Sequence, residues 1–259
     1  MIPKIIHYCW FGGEKPEFVK NYISGWQKMC PDYEIKEWNE NNFDIQEYTF
    51  SRDAYKEKKW AFVSDFVRFS VLEEYGGVYL DTDVELIKGL SSLEEECAFV
   101  GFEVSGVGSA IIGCDKNNKI IQAIAARYKK TSFYLDDGKL NLLTSPDYIN
   151  EELEKYGFKR INQLQRINDM TVYPSNYFYP YNSDTLKYQT TKETIGIHHF
   201  DGSWLDVKTK YQLEKQKALN WITIKRLRIW VAVCLAEYKF GGIKGLCVAV
   251  RNRIANKNE

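Results

Sequence analysis

Residues 60–83 read WAFVSDFVRFSVLEEYGGVYLDTD. In the first sixteen of these, Phe62, Phe66 and Phe69 recur at helical spacing with Val63, Val67 and Leu72 beside them, which predicts a helix with a broad apolar face. Gly76-Gly77 is a strong stop signal. Residues 78–86 then read as a strand. Side chains alternate along a strand, so Asp81 and Asp83 share a face with Tyr79, while Val78, Leu80 and Thr82 take the other. On the helix, Asp65 and Arg68 lie three apart and project to the same side.

Outward from this stretch the pattern stays mixed. Residues 4–10 read as a first strand stopped by Gly12-Gly13, residues 17–29 as a helix carrying Phe18, Tyr22, Ile23 and Trp26, and residues 33–38 as a second strand. That β-α-β opening predicts a parallel sheet. Further strands are expected at 97–102, 171–173 and 195–200, and helices at 117–130 and 147–156. The glycine-rich run Gly106-Val107-Gly108-Ser109-Ala110 lacks a phosphate-cradle pattern. No internal repeat or low-complexity linker interrupts the chain.

The chain has 259 residues, enough for one large domain with its own core or one domain and a small appendage. With 44% hydrophobic and 27% charged residues it is globular, and a formal net charge of zero argues against a general nucleic-acid binder. The charge is uneven. From Lys208 onward twelve Lys and Arg face three Glu, leaving the body acidic. The expected organisation is a domain over 1–207 and a basic amphipathic helical tail over 208–259. Basic residues beside Trp and Ile in that tail suit either the interface of an anionic membrane or packing on the domain. The six scattered cysteines form no C-x-x-C pair and read as reduced thiols, which with the absence of a signal pattern predicts a cytoplasmic protein, with the inner membrane face as its possible station. The longest apolar run, 229–236, is far short of the roughly 20 residues that span a bilayer.

Two neighbouring carboxylates repel unless something positive lies between them. A divalent cation is the economical answer, and hard oxygen ligands suit Mn²⁺ or Mg²⁺, which keep positions open for substrate phosphates. A bare D-x-D is common on loops, and an Asp-Arg pair at helical spacing is often a surface ion pair. The combination of apolar helix, Gly-Gly stop, aromatic-bearing strand and paired Asp is more selective. His198-His199 adds a second cluster before Gly202-Ser203-Trp204. Neighbouring histidines on a strand face opposite ways, so at most one easily reaches a given metal.

These motifs, with Ile2-Pro3-Lys4-Ile5-Ile6-His7-Tyr8-Cys9-Trp10-Phe11-Gly12-Gly13 before them and His198-His199-Phe200-Asp201-Gly202-Ser203-Trp204 after, occur in the order seen in a known family. The chain resembles the DXD-containing glycosyltransferases (family 32), which include yeast outer-chain mannosyltransferases, bacterial capsule and lipo-oligosaccharide transferases and, more distantly, clostridial glucosylating toxins. The bacterial polysaccharide type is the most similar subgroup. The resemblance implies a GT-A, Rossmann-like α/β fold, here with a C-terminal helical extension. It also implies metal-dependent, retaining transfer of a hexose or related sugar from a nucleotide-sugar donor, a UDP-sugar by preference, to a glycan or lipid-linked saccharide.

By the same resemblance Asp83 binds the metal directly, and Asp81 supports the metal shell and touches donor sugar or ribose. Asp65 and Arg68 hold donor hydroxyls, Trp10 stacks on the base, and Tyr79, Ser203 and Trp204 border the donor. The toxins carry a carboxylate near the position of His199, which favours His199 as third ligand with His198 as its rival. Thr144-Ser145-Pro146 stands where relatives have a turn beside the donor sugar. Two other classes remain open on the residues alone: a nucleotide-sugar hydrolase, and a carbohydrate-binding protein without catalysis.

Overall fold

The computed structural model describes residues 1–182, 185, 187–200, 207–219, 221–222 and 224–255. The chain divides into two compact units: Met1–Pro180 with Gln189–Phe200, and Tyr181–Tyr188 with Asp201–Glu259. In chain order the elements begin with β1 (Ile5–Cys9), α1 (Glu17–Met29), β2 (Glu34–Trp38), α2 (Thr49–Lys56), α3 (Trp60–Tyr75), β3 (Gly77–Leu80) and β4 (Val84–Leu86). There follow β5 (Ala98–Phe102), β6 (Val107–Cys114), α4 (Lys119–Lys130), α5 (Ser145–Glu154), β7 (Gln165–Ile167) and β8 (Met170–Tyr173). The last are β9 (Tyr181–Asn182), β10 (Lys187–Tyr188), β11 (Gly196–His198), α6 (Val207–Ala218) and α7 (Lys225–Ala255).

The first unit is an α/β layer structure. Its main sheet has the order β2-β1-β3-β6-β5-β8-β7. Strands β2, β1 and β3 run parallel, β6 is antiparallel to both β3 and β5, and β8 returns parallel to β5. This is the mixed, Rossmann-like sheet expected of a GT-A fold. Strand alternation separates two cores. Ile6, Tyr8, Val78 and Leu80 pack with Trp26 of α1 on one face, and Cys9 and Tyr79 lie with Phe66, Phe69 and Leu72 of α3 on the other. Each such side chain taken fully out of water contributes about 1.5–3 kcal/mol.

The strand expected over 78–86 is broken. β3 ends at Leu80, and Asp81-Thr82-Asp83 form a turn in which the Val84 amide donates to the Asp81 carbonyl at 3.0 Å. The chain then leaves the main sheet: β4 pairs antiparallel with β11, and the Trp26 indole donates to the Val84 carbonyl at 2.8 Å. Asp81 and Asp83 therefore face one site because a turn brings them together and not because a strand alternates. Several short or fully buried elements were not evident from periodicity, α2 and β6 among them. Helix α2 is short and buries only Phe50, Ser51 and Ala54, while β6 is buried along its whole length and so shows no alternation.

The joint between α3 and β3 is held tightly. Gly76 and Gly77 have φ of 66° and 98°, and a Cβ on Gly77 would lie 2.7 Å from the Ile5 carbonyl oxygen. The fully buried His7 fastens this joint. Its Nδ1 accepts from the Trp38 indole at 3.1 Å, so Nε2 carries the proton and donates to the Gly76 carbonyl at 2.9 Å.

The second unit contains the β9–β10 ribbon and helices α6 and α7. Lys208 pairs with Glu237 at 2.7 Å and Tyr211 meets the edge of Phe240 at 5.8 Å, so α6 and α7 pack on each other. α7 kinks at Gly242, where φ is 60°. Trp221 and Ile243 are 74% and 73% exposed, and Tyr238 and Val248 are also largely exposed. Among the described residues no helix is long and apolar enough to cross a membrane.

Burial lowers the His7 pKa from 6.5 to about 4. The unfolded chain then takes up a proton below about pH 6.5 that the folded chain refuses until about pH 4, so stability falls across that window by roughly 3 kcal/mol. His7→Gln keeps one acceptor and one donor but cannot ionise. Urea unfolding between pH 7 and 4 is expected to show a smaller acid loss for H7Q than for the wild type; parallel curves would remove His7 as the cause.

Candidate metal centre

The turn after β3 and the end of β11 bring Asp81, Asp83 and His198 together. One potential ligand atom from each lies within 4.8 Å of the others, and all three side chains are partly buried. His198 Nε2 is 3.3 Å from Asp83 Oδ1. Burial works against protonating His198, but the hydrogen bond and charge of Asp83, with the charges of Asp81 and Glu103, outweigh it and raise its pKa. Burial raises the pKa of Asp81, Arg68 opposes this, and the neighbouring charge of Asp83 adds to it. His198 Nδ1 is buried and has no hydrogen-bond partner among the described residues. Two facing carboxylates and an imidazole nitrogen form a donor set suited to a divalent cation, and the nitrogen favours Mn²⁺ over the harder Mg²⁺.

Behind Asp81 lies a buried ionic network. Arg68, 3% exposed, places Nη2 3.0 Å from Asp81 Oδ1 and 3.1 Å from Asp65 Oδ1, and its Nη1 donates to the Ser109 carbonyl at 2.6 Å. The guanidinium carbon stacks 4.5 Å over the Tyr79 ring, whose hydroxyl donates to Asp81 Oδ1 at 3.1 Å. Burial disfavours the charged Arg68, but Asp81, Tyr79 and Asp65 more than compensate and hold it protonated. Asp65 accepts from the Ser145 hydroxyl at 2.6 Å and the Ser145 amide at 3.1 Å. That amide belongs to the first turn of α5, whose start is secured by a Thr144–Asp147 capping box, so the carboxylate sits at a helix N-terminus that favours negative charge. Ser109 and Ser145 hydroxyls are 2.8 Å apart and complete the cluster.

Asp65, Arg68, Tyr79 and Asp81 thus form one connected group, with Asp83 and His198 beside Asp81. His199 does not join it: its Nε2 lies 2.9 Å from Glu85 Oε2 and its ring stacks on Tyr22 at 5.2 Å. Of the expected third ligand and its rival, His198 is the one beside Asp83, because the β11–β4 register sets it opposite Val84 and the next residue turns to the other side. Trp10 is partly buried, packs on the α1-side core, donates its indole N–H to the Gly13 carbonyl at 2.8 Å, and lines a cavity of about 440 Å³ with Lys15, Lys20, Glu37, Asn39 and Glu40. Asp81, Asp83 and His198 are not part of that cavity's lining. Ser203 and Trp204 lie outside the described residues. Periodicity does not single out Ser109 or Glu103, and the resemblance, not periodicity, points to Thr144-Ser145-Pro146.

Residues 16–100 match the family described as "Glycosyltransferase sugar-binding region containing DXD motif". The chain is 30% identical over 141 residues to inositol phosphoceramide mannosyltransferase 3 of Schizosaccharomyces pombe, covering 51% of this chain and 38% of that protein. It is 26% identical over 222 residues to a glycosyltransferase of Acanthamoeba polyphaga mimivirus, covering 79% and 84%. It therefore spans well under half of the fission-yeast enzyme but most of the viral protein. Among solved structures, the galactosyltransferase LgtC with donor and acceptor sugar analogs overlays with a TM-score of 0.44 and 12% identity, over 84% of this chain and 95% of that one.

Removing Arg68 leaves the buried Asp65 and the partly buried Asp81 without their cation, so Arg68→Met should cost about 3–5 kcal/mol of folding free energy. Asp83→Asn removes one of two repelling carboxylates and should change stability by less than about 1 kcal/mol. Chemical denaturation in EDTA checks both; equal losses would show that the ionic network does not organise the fold here.

Proposed function

We propose that the chain is a glycosyltransferase that moves a hexose or related sugar from a nucleoside diphosphate sugar to a saccharide acceptor, with a divalent cation held by Asp81, Asp83 and His198. The carrying observation is the convergence of these three ligand atoms on a turn that lies inside the matched DXD region. A cation there supplies charge neutralisation for the departing diphosphate. Asp83 and His198 complete the donor set, while Asp81 is steered by Arg68 and Tyr79. Asp65, fixed by Ser145, and Asp81 place negative charge beside an oxocarbenium-like sugar ring. No carboxylate is assigned as nucleophile, in keeping with retention by front-face attack. Trp10 offers an aromatic face for the base, and the cavity beside it supplies room. Ser203 and Trp204 remain proposed donor contacts, and 1–207 remains the proposed catalytic domain.

UDP-sugars are the favoured donors, with a mannosyl donor as the alternative suggested by the yeast mannosyltransferases. Mn²⁺ is favoured over Mg²⁺ on the imidazole donor. A role in bacterial surface polysaccharide synthesis, at the cytoplasmic membrane face, fits these assignments. The ceramide-directed names of the yeast relatives support an acceptor carried on a lipid. The tail over 208–259 supports this: twelve basic residues against three acidic, with Trp221, Tyr238, Ile243 and Val248 exposed, make a surface for an anionic bilayer.

The test of the site is a thermal-shift titration with Mn²⁺, followed by nucleoside diphosphate release from UDP-glucose, UDP-galactose and GDP-mannose with and without oligosaccharide. Wild type and His199→Ala should be stabilised by Mn²⁺, and Asp83→Ala and His198→Ala should lose both that stabilisation and turnover. Loss of the response in H199A alone would return the ligand to His199, and acceptor-independent release would favour a hydrolase. For the tail, flotation at low salt is expected to bring the full chain up with anionic phosphatidylglycerol vesicles and not with phosphatidylcholine. Recovery in the soluble fraction with both would make the tail a packing element only.

A further inference from the structure

Glu103 is a carboxylate that the ionic network does not use. It follows β5 at the tip of the β5–β6 hairpin, where its amide donates to the Gly106 carbonyl at 2.6 Å. Several contacts fix this tip. The pairing of β5 with β6 slips between Val100 and Phe102, a bulge of the kind that re-aims the residues beyond it. The Asn150 side chain of α5 clamps the other strand, accepting from the Val107 amide at 2.9 Å and donating to its carbonyl at 3.1 Å. A Cβ on Gly108 would collide with the Glu103 carboxylate and with the Tyr179 ring, so the bare glycine is what leaves room for the carboxylate against Tyr179. Tyr179 in turn meets the His198 ring edge-on at 5.8 Å.

Glu103 therefore stands on the His198 side of the proposed metal centre, and its charge is felt by His198, Asp81 and Asp83. It is not one of the three groups whose ligand atoms converge. Among the described residues its carboxylate accepts no hydrogen bond and forms no ion pair, whereas Asp65, Arg68 and Asp81 are engaged with one another. A rigidly aimed, partly buried carboxylate without a protein donor is matched by a hydroxyl group, and the substrates of a sugar transferase are rich in hydroxyls.

We propose that Glu103 is a sugar-positioning residue: its carboxylate accepts a hydrogen bond from a ring hydroxyl of a substrate sugar held beside the Asp81–Asp83–His198 centre. This rests on the transferase reading of that centre. The hydroxyl belongs either to the donor sugar or to the acceptor, and kinetics separate the two. Gln at this position keeps the shape but loses the charge, and Asp keeps the charge but withdraws it by one methylene.

The experiment uses the full chain with Mn²⁺ and whichever of UDP-glucose, UDP-galactose or GDP-mannose it turns over. E103Q and E103D are compared with wild type for melting temperature, Mn²⁺ affinity, affinity for the free nucleoside diphosphate, and the KM of donor and acceptor separately. The expected result is a melting temperature and Mn²⁺ and nucleoside diphosphate affinities within twofold-equivalent scatter of wild type, with one sugar KM raised tenfold or more in both variants. A raised donor KM, accompanied by weaker binding of the nucleotide sugar relative to the free diphosphate, assigns the donor hydroxyl; a raised acceptor KM assigns the acceptor. Unchanged KM values in an active wild-type background overturn the proposal, as does a tenfold loss of Mn²⁺ affinity, which would make Glu103 a metal ligand. A wild type that binds Mn²⁺ but turns over no nucleotide sugar overturns the transferase reading itself, and is distinguishable because it fails before any variant is compared.

Discussion

The guanidinium of Arg68 is the contact on which the first unit's chemistry depends. It is almost wholly buried, and it bridges a helix, the turn after β3 and the backbone of β6 through Asp65, Asp81 and the Ser109 carbonyl. A lone buried cation would be strongly unfavourable. Here two carboxylates, a carbonyl and the face of Tyr79 surround it, so its burial is tolerated only in one arrangement. Such an ion cluster is weak evidence for added stability, but it is an effective way to fix where each partner points. Asp81 is one of those partners, and through it the network sets the orientation of the acidic turn.

The same logic explains the surrounding architecture. Two glycines allow α3 to pass directly into β3, with His7 tying the joint to β1 and β2 through Gly76 and Trp38. That joint places Arg68 and Asp81 in reach of each other across thirteen residues of chain. The N-terminus of α5 then closes the far side by holding Asp65 through Ser145. The paired Asp residues are thus presented at the end of a strand by a scaffold of buried polar contacts and not by surface loops.

Much of this was readable from the sequence. The helix over 60–75, its glycine stop, the first two strands and the mixed α/β class follow from apolar spacing alone, because each of these elements is amphipathic or sharply bounded. The pairing of Asp65 with Arg68 follows from helical spacing. What was not readable depends on long-range pairing. The break after Leu80 arises because β4 joins β11, more than a hundred residues later, and the same register decides that His198 and not His199 faces Asp83. Ser109, Ser145 and Glu103 are single polar residues on a buried strand, the first turn of a helix and a hairpin tip, and no local pattern in the sequence distinguishes them from ordinary polar residues. The resemblance to DXD glycosyltransferases pointed to the region and its acidic pair, while the side-chain network behind them required the fold.

The proposed function stands or falls on whether Asp81, Asp83 and His198 together hold a divalent cation. Crystals grown with Mn²⁺ and a nucleoside diphosphate, with data collected on both sides of the manganese absorption edge, test it most directly. An anomalous peak is expected between the two carboxylates and His198 Nε2, with Arg68 still on Asp81. A peak against His199 and Glu85, or no peak at saturating Mn²⁺, would contradict it.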